Sequence, residues 1–369
     1  MKLNKLQKND VFGKKVLLRA DLDVPLTEQK LIKDDSRLRA VLPTINFLLE
    51  NNASIILIGH LGRPDPNLNL KSKNLNLSLL PVAEWFNEEL GIKSQELREE
   101  EVGEFEGWKL NEKFCVLENL RFYKEEEDPS TSSGLEFTKK LANLGEVYVN
   151  DAFAVSHRAH ASLVGVPKYL PHFAGLRLLK EIEVLSKVLE DPLRPLVVII
   201  GGAKIETKLP LVEKMHKIAD YILVGGEIAE QDKILLKVQN EKVYGRKPVL
   251  LVADLTENGK DITQKSAENF NQIINLAKTI VWNGPMGITE SSKFKVQSSK
   301  LEDTERGTRI LAEALAKLSN YKIVGGGDTV AYLKKVNLLD KFDFVSTGGG
   351  AMLDFLSGEK LPGIESLIA

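Results

Sequence analysis

The stretch VNDAFAVSHRAHASLVG (149–165) sets Arg158 between His157 and His160, in a chain with only five histidines. Such a pair could ligate a metal, supply a catalytic base, or scaffold the arginine between them. Metal ligation lacks support, because no third ligand stands nearby and the H-E-x-x-H pattern is absent. Arg158 is the more informative residue, because arginine recurs in related places. Arg63 and Arg121 follow apolar runs, and Arg37 and Arg39 follow the polar triplet 34–36. A guanidinium is a planar fork that binds phosphate and carboxylate, often through two bonds, and keeps its charge at any working pH. If Arg37, Arg63, Arg121 and Arg158 share one cleft, they suit a small polyanion carrying both groups. Asp21, Asp23 and His60 occupy matching positions, and Asp21 could accept a substrate hydroxyl or hold an arginine in place. His157 and His160 then read as supports of the Arg158 loop.

The second half carries a different chemistry. In GGAKIETK (201–208) glycines follow an apolar run and open a helix-period segment, where free backbone N–H groups and the positive helix end favour phosphate. Lys204 and Lys208 lie one helical turn apart and could place two ammonium groups beside a phosphoryl group. GGGDT (325–329) and TGGG (347–350) repeat the strand-end pattern. Asp328 is the natural carboxylate for Mg²⁺, which usually takes one or two carboxylates plus phosphate oxygens. Walker A and G-x-G-x-x-G motifs are both missing, which argues against P-loop and dinucleotide sites.

These residues need elements to carry them. Short apolar runs alternate with longer segments of helical period, the pattern of an α/β protein with mainly parallel sheets. The runs are KVLLRAD, SIILIGH, FCVLEN and EVYVND in the first half. In the second they are PLVVIIGG, YILVGG, PVLLVAD, TIVWNGP, KIVGGG and FDFVSTGGG. Leu38, Val41, Leu42, Ile45, Leu48 and Leu49 follow helical spacing, predicting a helix over 37–50. Open α/β sheets bind ligands beyond the carboxyl ends of their strands, where the polar and glycine clusters stand. The helix-period stretch 172–194 divides the 369 residues into similar halves and is the expected connector.

Composition bounds the rest. A net charge of −2 excludes a strong basic bias for bulk nucleic-acid or anionic-membrane binding, though not a local basic pocket. The one cysteine, Cys115, excludes a disulfide framework and reads as a small buried hydrophobe. No run reaches the roughly 18 apolar residues of a membrane span, and the N-terminus lacks the apolar core of a secretion signal. A cytoplasmic enzyme or binding protein with small-molecule ligands, and neither nucleic-acid nor membrane partners, is the expectation; a monomer is expected too, though composition gives no direct reading of oligomeric state.

In order along the chain, RADLDVPL, DDSRLRAVLPTI, GHLGRP, LENLRFYKEEE and VNDAFAVSHRAHASLVGV resemble the N-domain signatures of phosphoglycerate kinase. GGAKIETK, VWNGPMGITE, VGGGDTVA and STGGGAMLDFLSGEKLPG resemble those of its C-domain. The resemblance implies two Rossmann-like domains: 1–171 binding 3-phosphoglycerate, 172–194 as connecting helix, 195–350 binding Mg-nucleotide, and 351–369 packing back on the first. The implied reaction moves the acyl phosphate of 1,3-bisphosphoglycerate to ADP, reversibly, giving ATP, after the domains close to exclude water.

Asp21, Asp23, His60, Arg63, Arg121 and Arg158 match the family's substrate positions, and Arg37 matches the arginine that meets the transferring phosphoryl group. Gly202, Lys208, Asn283, Glu290, Gly326, Gly327, Asp328 and Thr329 match nucleotide positions, with Mg²⁺ at Asp328 and Glu290 on the ribose. Lys204 and the amides of Gly348, Gly349 and Gly350 match groups that stabilise the transition state, with Lys208 beside them. This chain departs from the pattern at Asp23, where the family has Asn, and at Glu227, where it has a third glycine. KDITQKS (260–266) also lacks a Gly and a Pro. The latter changes lie toward the nucleoside, so the same chemistry with another base is an alternative. A non-catalytic binding module is a second alternative, opposed by the retained Arg37, Lys204, Lys208 and Asp328.

Overall fold

The computed structural model describes residues 3–64, 77–92, 97–203, 205–230, 248–289 and 304–368. Contacts divide the chain into one unit of Met1–Ile182 with Lys360–Ala369 and another of Glu183–Glu359.

The first unit contains α1 (Lys8–Val11), β1 (Lys15–Arg19), α2 (Ser36–Glu50), β2 (Ser54–Ile58), α3 (Leu80–Glu89), β3 (Arg98–Val102), β4 (Phe105–Asn111), β5 (Phe114–Leu117), α4 (Ser132–Ala142), β6 (Val147–Asn150) and β7 (His172–Ala174). Its seven-stranded sheet runs β3-β4-β5-β2-β1-β6-β7. Pairing is parallel from β5 to β7, while the β3–β4 hairpin and the β4–β5 pair are antiparallel. Helix α5 (Leu176–Glu190) follows β7, and the division between the units falls inside it.

The second unit contains β8 (Leu196–Ile200), α6 (Ile205–Ile218), β9 (Tyr221–Val224), β10 (Val249–Val252), α7 (Gln264–Ile274), β11 (Thr279–Asn283), α8 (Arg306–Ala316), β12 (Tyr321–Gly325), α9 (Gly327–Lys335), β13 (Phe344–Val345) and α10 (Gly350–Leu356). Its six strands, ordered β10-β9-β8-β11-β12-β13, are all parallel. Helix α11 (Pro362–Glu365) belongs to the first unit.

Each apolar run of the sequence analysis is one of these strands. Central strands such as β8 and β11 are buried along their whole length, because helices cover both faces of a parallel sheet. Helix α2 turns Leu38, Val41, Ile45 and Leu48 onto the first sheet, each fully or almost fully buried and contributing roughly 2 kcal/mol. Cys115 lies buried in β5, where burial pushes its thiol up to about 12, so it is no thiolate at working pH.

Two boundaries differ from the sequence reading. Residues 172–174 are a strand of the first sheet, and the helix of the expected connector spans only Leu176–Glu190. The return to the first unit begins at 360 rather than 351. Helix α10 buries Ala351, Met352, Leu353, Phe355 and Leu356 and packs on α6, which keeps it in the second unit.

From 360 onward the chain buttresses the Arg158 loop. Gly363 donates its amide to Ser156 at 2.9 Å and accepts from Asn150 Nδ2 at 3.0 Å, and Ser366 Oγ donates to the Leu163 carbonyl at 2.8 Å.

Candidate functional site

In each sheet the strand order reverses direction beside the first strand of the unit. β1 has β2 on one side and β6 on the other, and β8 has β9 and β11. Loops diverge at such a point and leave a crevice. The two candidate sites stand at these crevices.

At the first, β1 leads into Asp21 and Asp23. Asp21 is buried and accepts the Ala154 amide on Oδ2 at 2.8 Å, while Oδ1 has no hydrogen-bond partner among the described residues. Burial raises its pKa to about 6, against the pull of Arg37 and Arg19. Asp23 accepts the Gly62 amide on Oδ1 at 2.9 Å, and its Oδ2 lies 3.6 Å from Arg37 Nη1 and 4.0 Å from His60 Nε2. Arg37 Nη1 also donates to the Asp23 carbonyl at 2.5 Å. The added carboxylate at position 23 is therefore offset by a guanidinium.

Asp34 Oδ1 accepts the Ser36 amide at 2.9 Å and so fixes the first turn of α2. Arg37 and Arg39 then part company. Arg39 pairs with Asp35 at 2.8 Å and Glu89 at 2.9 Å and lies over Trp85, which occupies it structurally. Arg37 stays with the crevice.

Asn119 joins the loops after β2 and β5. Its Nδ2 donates to the carbonyls of Leu61 (2.7 Å) and Leu77 (2.9 Å), and its Oδ1 accepts the Arg121 amide at 3.1 Å. Arg121 Nη1 consequently reaches the Gly62 carbonyl at 2.8 Å, with Glu127 3.0 Å from its Nε. Arg158 is half-buried and acts electrostatically on Arg121 and His160. Arg63 is exposed, and among the described residues neither Arg63 nor Arg158 forms an ion pair. Both charges are thus available to an anion.

His160 is buried between Glu126 (3.7 Å from Nδ1) and Glu127 (4.0 Å from Nε2), and burial pushes it down to about 3. It is neutral at working pH and supports the loop. Sequence reasoning missed Arg19, Glu126 and Ser162, which form a buried polar cluster beneath this crevice. The available signal was a charged residue closing an otherwise apolar run.

The second crevice is a cavity of about 620 Å³, lined by Gly201, Gly202, Lys208, Asn283, Gly326, Gly327, Asp328, Thr329, Gly349 and Gly350 among others. Lys208 is buried and donates to Asn283 Oδ1. Burial lowers its ammonium to about 8, and Asp328 pulls the other way. Asp328 lies exposed in the first turn of α9, with Gly326 at the helix cap in a left-handed conformation (φ +92°). Thr329 is buried and accepts the Gly284 amide on Oγ1 at 2.9 Å, so it shapes the loop.

Of the three glycines at 348–350, Gly349 and Gly350 line the cavity, whereas Gly348 is buried and donates its amide to Ser346 Oγ at 3.1 Å. That amide is committed to the loop, which corrects its reading as a donor to ligand. Lys204 and Glu290 lie outside the described residues. Glu227 and Lys260, at the departures from the family pattern, also line this cavity. Sequence reasoning missed Asp261, which accepts the Gly307 amide at 2.7 Å and ties this loop to α8.

Comparison with known proteins bears on both halves. The Phosphoglycerate kinase family model matches residues 6–246 and 231–359. A phosphoglycerate kinase of Dictyoglomus turgidum is 40% identical, covering 98% of this chain and 97% of its own. One of Borrelia garinii is 39% identical over 97% of each. The solved phosphoglycerate kinase of Coxiella burnetii superposes with a TM-score of 0.77 at 31% identity, covering 99% of both chains.

Proposed function

The chain belongs to the phosphoglycerate kinase family and transfers the acyl phosphate of 1,3-bisphosphoglycerate to ADP, reversibly, and we propose how its residues divide that work. The first crevice holds the phosphoglycerate and the cavity of the second unit holds the nucleotide. What carries this division is the contrast in chemistry: guanidiniums around an unpartnered buried carboxylate oxygen in one, and a buried lysine among glycines in the other.

Arg63, Arg121 and Arg158 bind the phosphate of 3-phosphoglycerate, and Asp21 accepts its hydroxyl through the orphan Oδ1. Arg37 faces the carboxyl and the phosphoryl group in transit. A carboxylate is already a competent nucleophile, so no general base is required, and catalysis is alignment plus stabilisation of charge on the equatorial oxygens. Lys208 contacts the nucleotide phosphates, and the Gly349 and Gly350 amides with Lys204 stabilise the charge in transit. Glu290 on the ribose and a cytoplasmic monomer complete the reading.

Asp328 fits Mg²⁺: it is one exposed carboxylate at a phosphate-binding helix start, and this ion needs little more from the protein. When bound there with the nucleotide, the ion neutralises phosphate charge.

A coupled ATP-forming assay tests the reading, run with ADP and GDP in parallel, with and without a chelator. Turnover with ADP that chelation abolishes is expected. A preference for GDP would move the base assignment to Glu227 and Lys260, and no turnover with either would favour a binding module.

Asp21 gives a second test. Its pKa in the fold is raised from 3.8 to about 6. The fold therefore favours the protonated form, and the ionised carboxylate costs stability that grows as pH rises through this window. At pH above about 7 the cost is fully present, on the order of 3 kcal/mol for a shift of this size. Asp21→Asn should raise the melting temperature there while raising the KM for 3-phosphoglycerate by about tenfold or more. A destabilised variant with unchanged KM would contradict both halves of the argument.

A further inference from the structure

Arg19 ends β1 fully buried, where neither strand packing nor the transfer chemistry calls for a charge. Each of its nitrogens is engaged. Nε donates to Ser162 Oγ at 2.9 Å, Nη1 to the Ala20 carbonyl at 2.6 Å, and Nη2 lies 3.1 Å from His60 Nδ1 and 4.0 Å from Glu126 Oε1. Glu126, also fully buried, accepts the Ser162 hydroxyl at 2.6 Å and the Ser162 amide at 2.9 Å. The hydroxyl therefore receives from Arg19 and gives to Glu126, which fixes the guanidinium in one orientation.

A guanidinium has donors only. His60 Nδ1 opposite Nη2 must then present its lone pair, and a neutral ring carries its proton on Nε2. That Nε2 is the atom turned toward Asp23 and the crevice, 4.0 Å from Oδ2.

We propose that Arg19 is a positioning residue for the transfer: locked by Glu126 and Ser162, it holds His60 as the Nε2–H tautomer, so that the ring offers phosphoglycerate a donor. The charged groups around His60 are Arg19 from β1, Asp23 from the segment after it, Arg37 from α2 and Arg121 from the segment after β5, with Glu126 behind Arg19, and the titratable but neutral His160 follows β6. Burial, and after it the Arg19, Arg121 and Arg37 guanidiniums, hold the imidazole well below its usual range. The ring stays uncharged, and the tautomer is what Arg19 decides.

The inference rests on the reading that His60 meets phosphoglycerate, and the test separates the two. Nitrogen NMR of the full chain labelled at histidine, from about pH 6 to 8, reads the tautomer directly. An unprotonated, hydrogen-bonded Nδ1 and a protonated Nε2 on His60 are expected. A proton on Nδ1, or an imidazolium, would overturn the proposal.

The double variant Arg19→Met/Glu126→Gln removes both buried charges together, avoiding an unpaired one. It should leave His60 a mixture of tautomers, with KM for 3-phosphoglycerate raised about tenfold and kcat changed less. Should that variant fail to fold, Ser162→Ala frees the guanidinium more gently and should shift the same signals in the same direction. A folded variant whose His60 tautomer matches the parent would overturn the positioning role. His60→Ala tests the underlying reading: unchanged KM there removes the ring from the substrate site, and the NMR result still reports separately on Arg19.

Discussion

Arg37→Ala is expected to lower kcat by a factor on the order of 10²–10³ while raising the KM for 3-phosphoglycerate by less than about tenfold. The guanidinium is held before any ligand arrives. Its Nη1 donates to the Asp23 carbonyl at 2.5 Å and lies 3.6 Å from the Asp23 carboxylate, on the first turn of α2. A donor aimed in advance at developing charge does not reorganise during the transfer, and such groups act more on the transition state than on the ground state.

The fold should tolerate the change, because this side chain is about a third exposed (34%) and the apolar face of α2 lies elsewhere. Arg37 also lowers the pKa of Asp21, so its removal moves that carboxyl further above about 6. The variant should therefore recover part of its substrate affinity as pH rises from about 6 to 8, as Asp21 ionises. Arg37→Lys should restore only part of kcat, since an ammonium cannot reproduce the planar fork. Steady-state kinetics across this range decide the matter, and near-normal kcat in Arg37→Ala would sink the role.

How far these sites can be read from sequence depends on which interactions are local. The central parallel strands announce themselves because both faces are buried, so each reads as an unbroken apolar run ending in a polar or glycine cluster. β3 does not: Arg98, Glu99, Glu100 and Glu101 form an exposed edge strand paired only with β4, and its charges suppress the pattern. β7, His172–Ala174, is too short to show a period and owes its place to β6.

The crevice arginines were legible because the ligand side of an open α/β sheet is fixed by its topology. Arg19 was not, since its meaning lies in Glu126 and Ser162, which only folding brings beside it. Arg39 shows the converse, a residue of the right type two positions from Arg37 whose partners Asp35 and Glu89 keep it away from the site.

The glycines of the nucleotide cavity make the same point about distance, and they carry the other large prediction. Gly284→Ala should destabilise the second unit by about 3 kcal/mol or more and abolish measurable ADP binding. The loops after β8 and β11 meet backbone to backbone. Gly201 donates to the Asn283 carbonyl and Gly202 to the Pro285 carbonyl, both at 2.9 Å. A Cβ at Gly284 would stand 2.0 Å from the Gly201 carbonyl oxygen, at a φ of +95° that disfavours any side chain. No rotamer relieves a clash between two backbones, so the loops must separate. Separation would pull Gly284 from Thr329 and Asn283 from Lys208, and the lysine would lose the partner that holds it in the cavity.

Gly327→Ala is the matched control. Its Cβ would meet nothing within 4 Å, and the residue is the first of α9, where alanine is accepted without a clash. The control should keep or gain thermal stability, yet lose nucleotide affinity, because it adds a methyl at the phosphate end of the cavity. Thermal unfolding with calorimetric ADP titration of both variants separates the two modes of failure. A Gly284→Ala protein that melts with the parent and binds ADP would show that the loops do not depend on that contact.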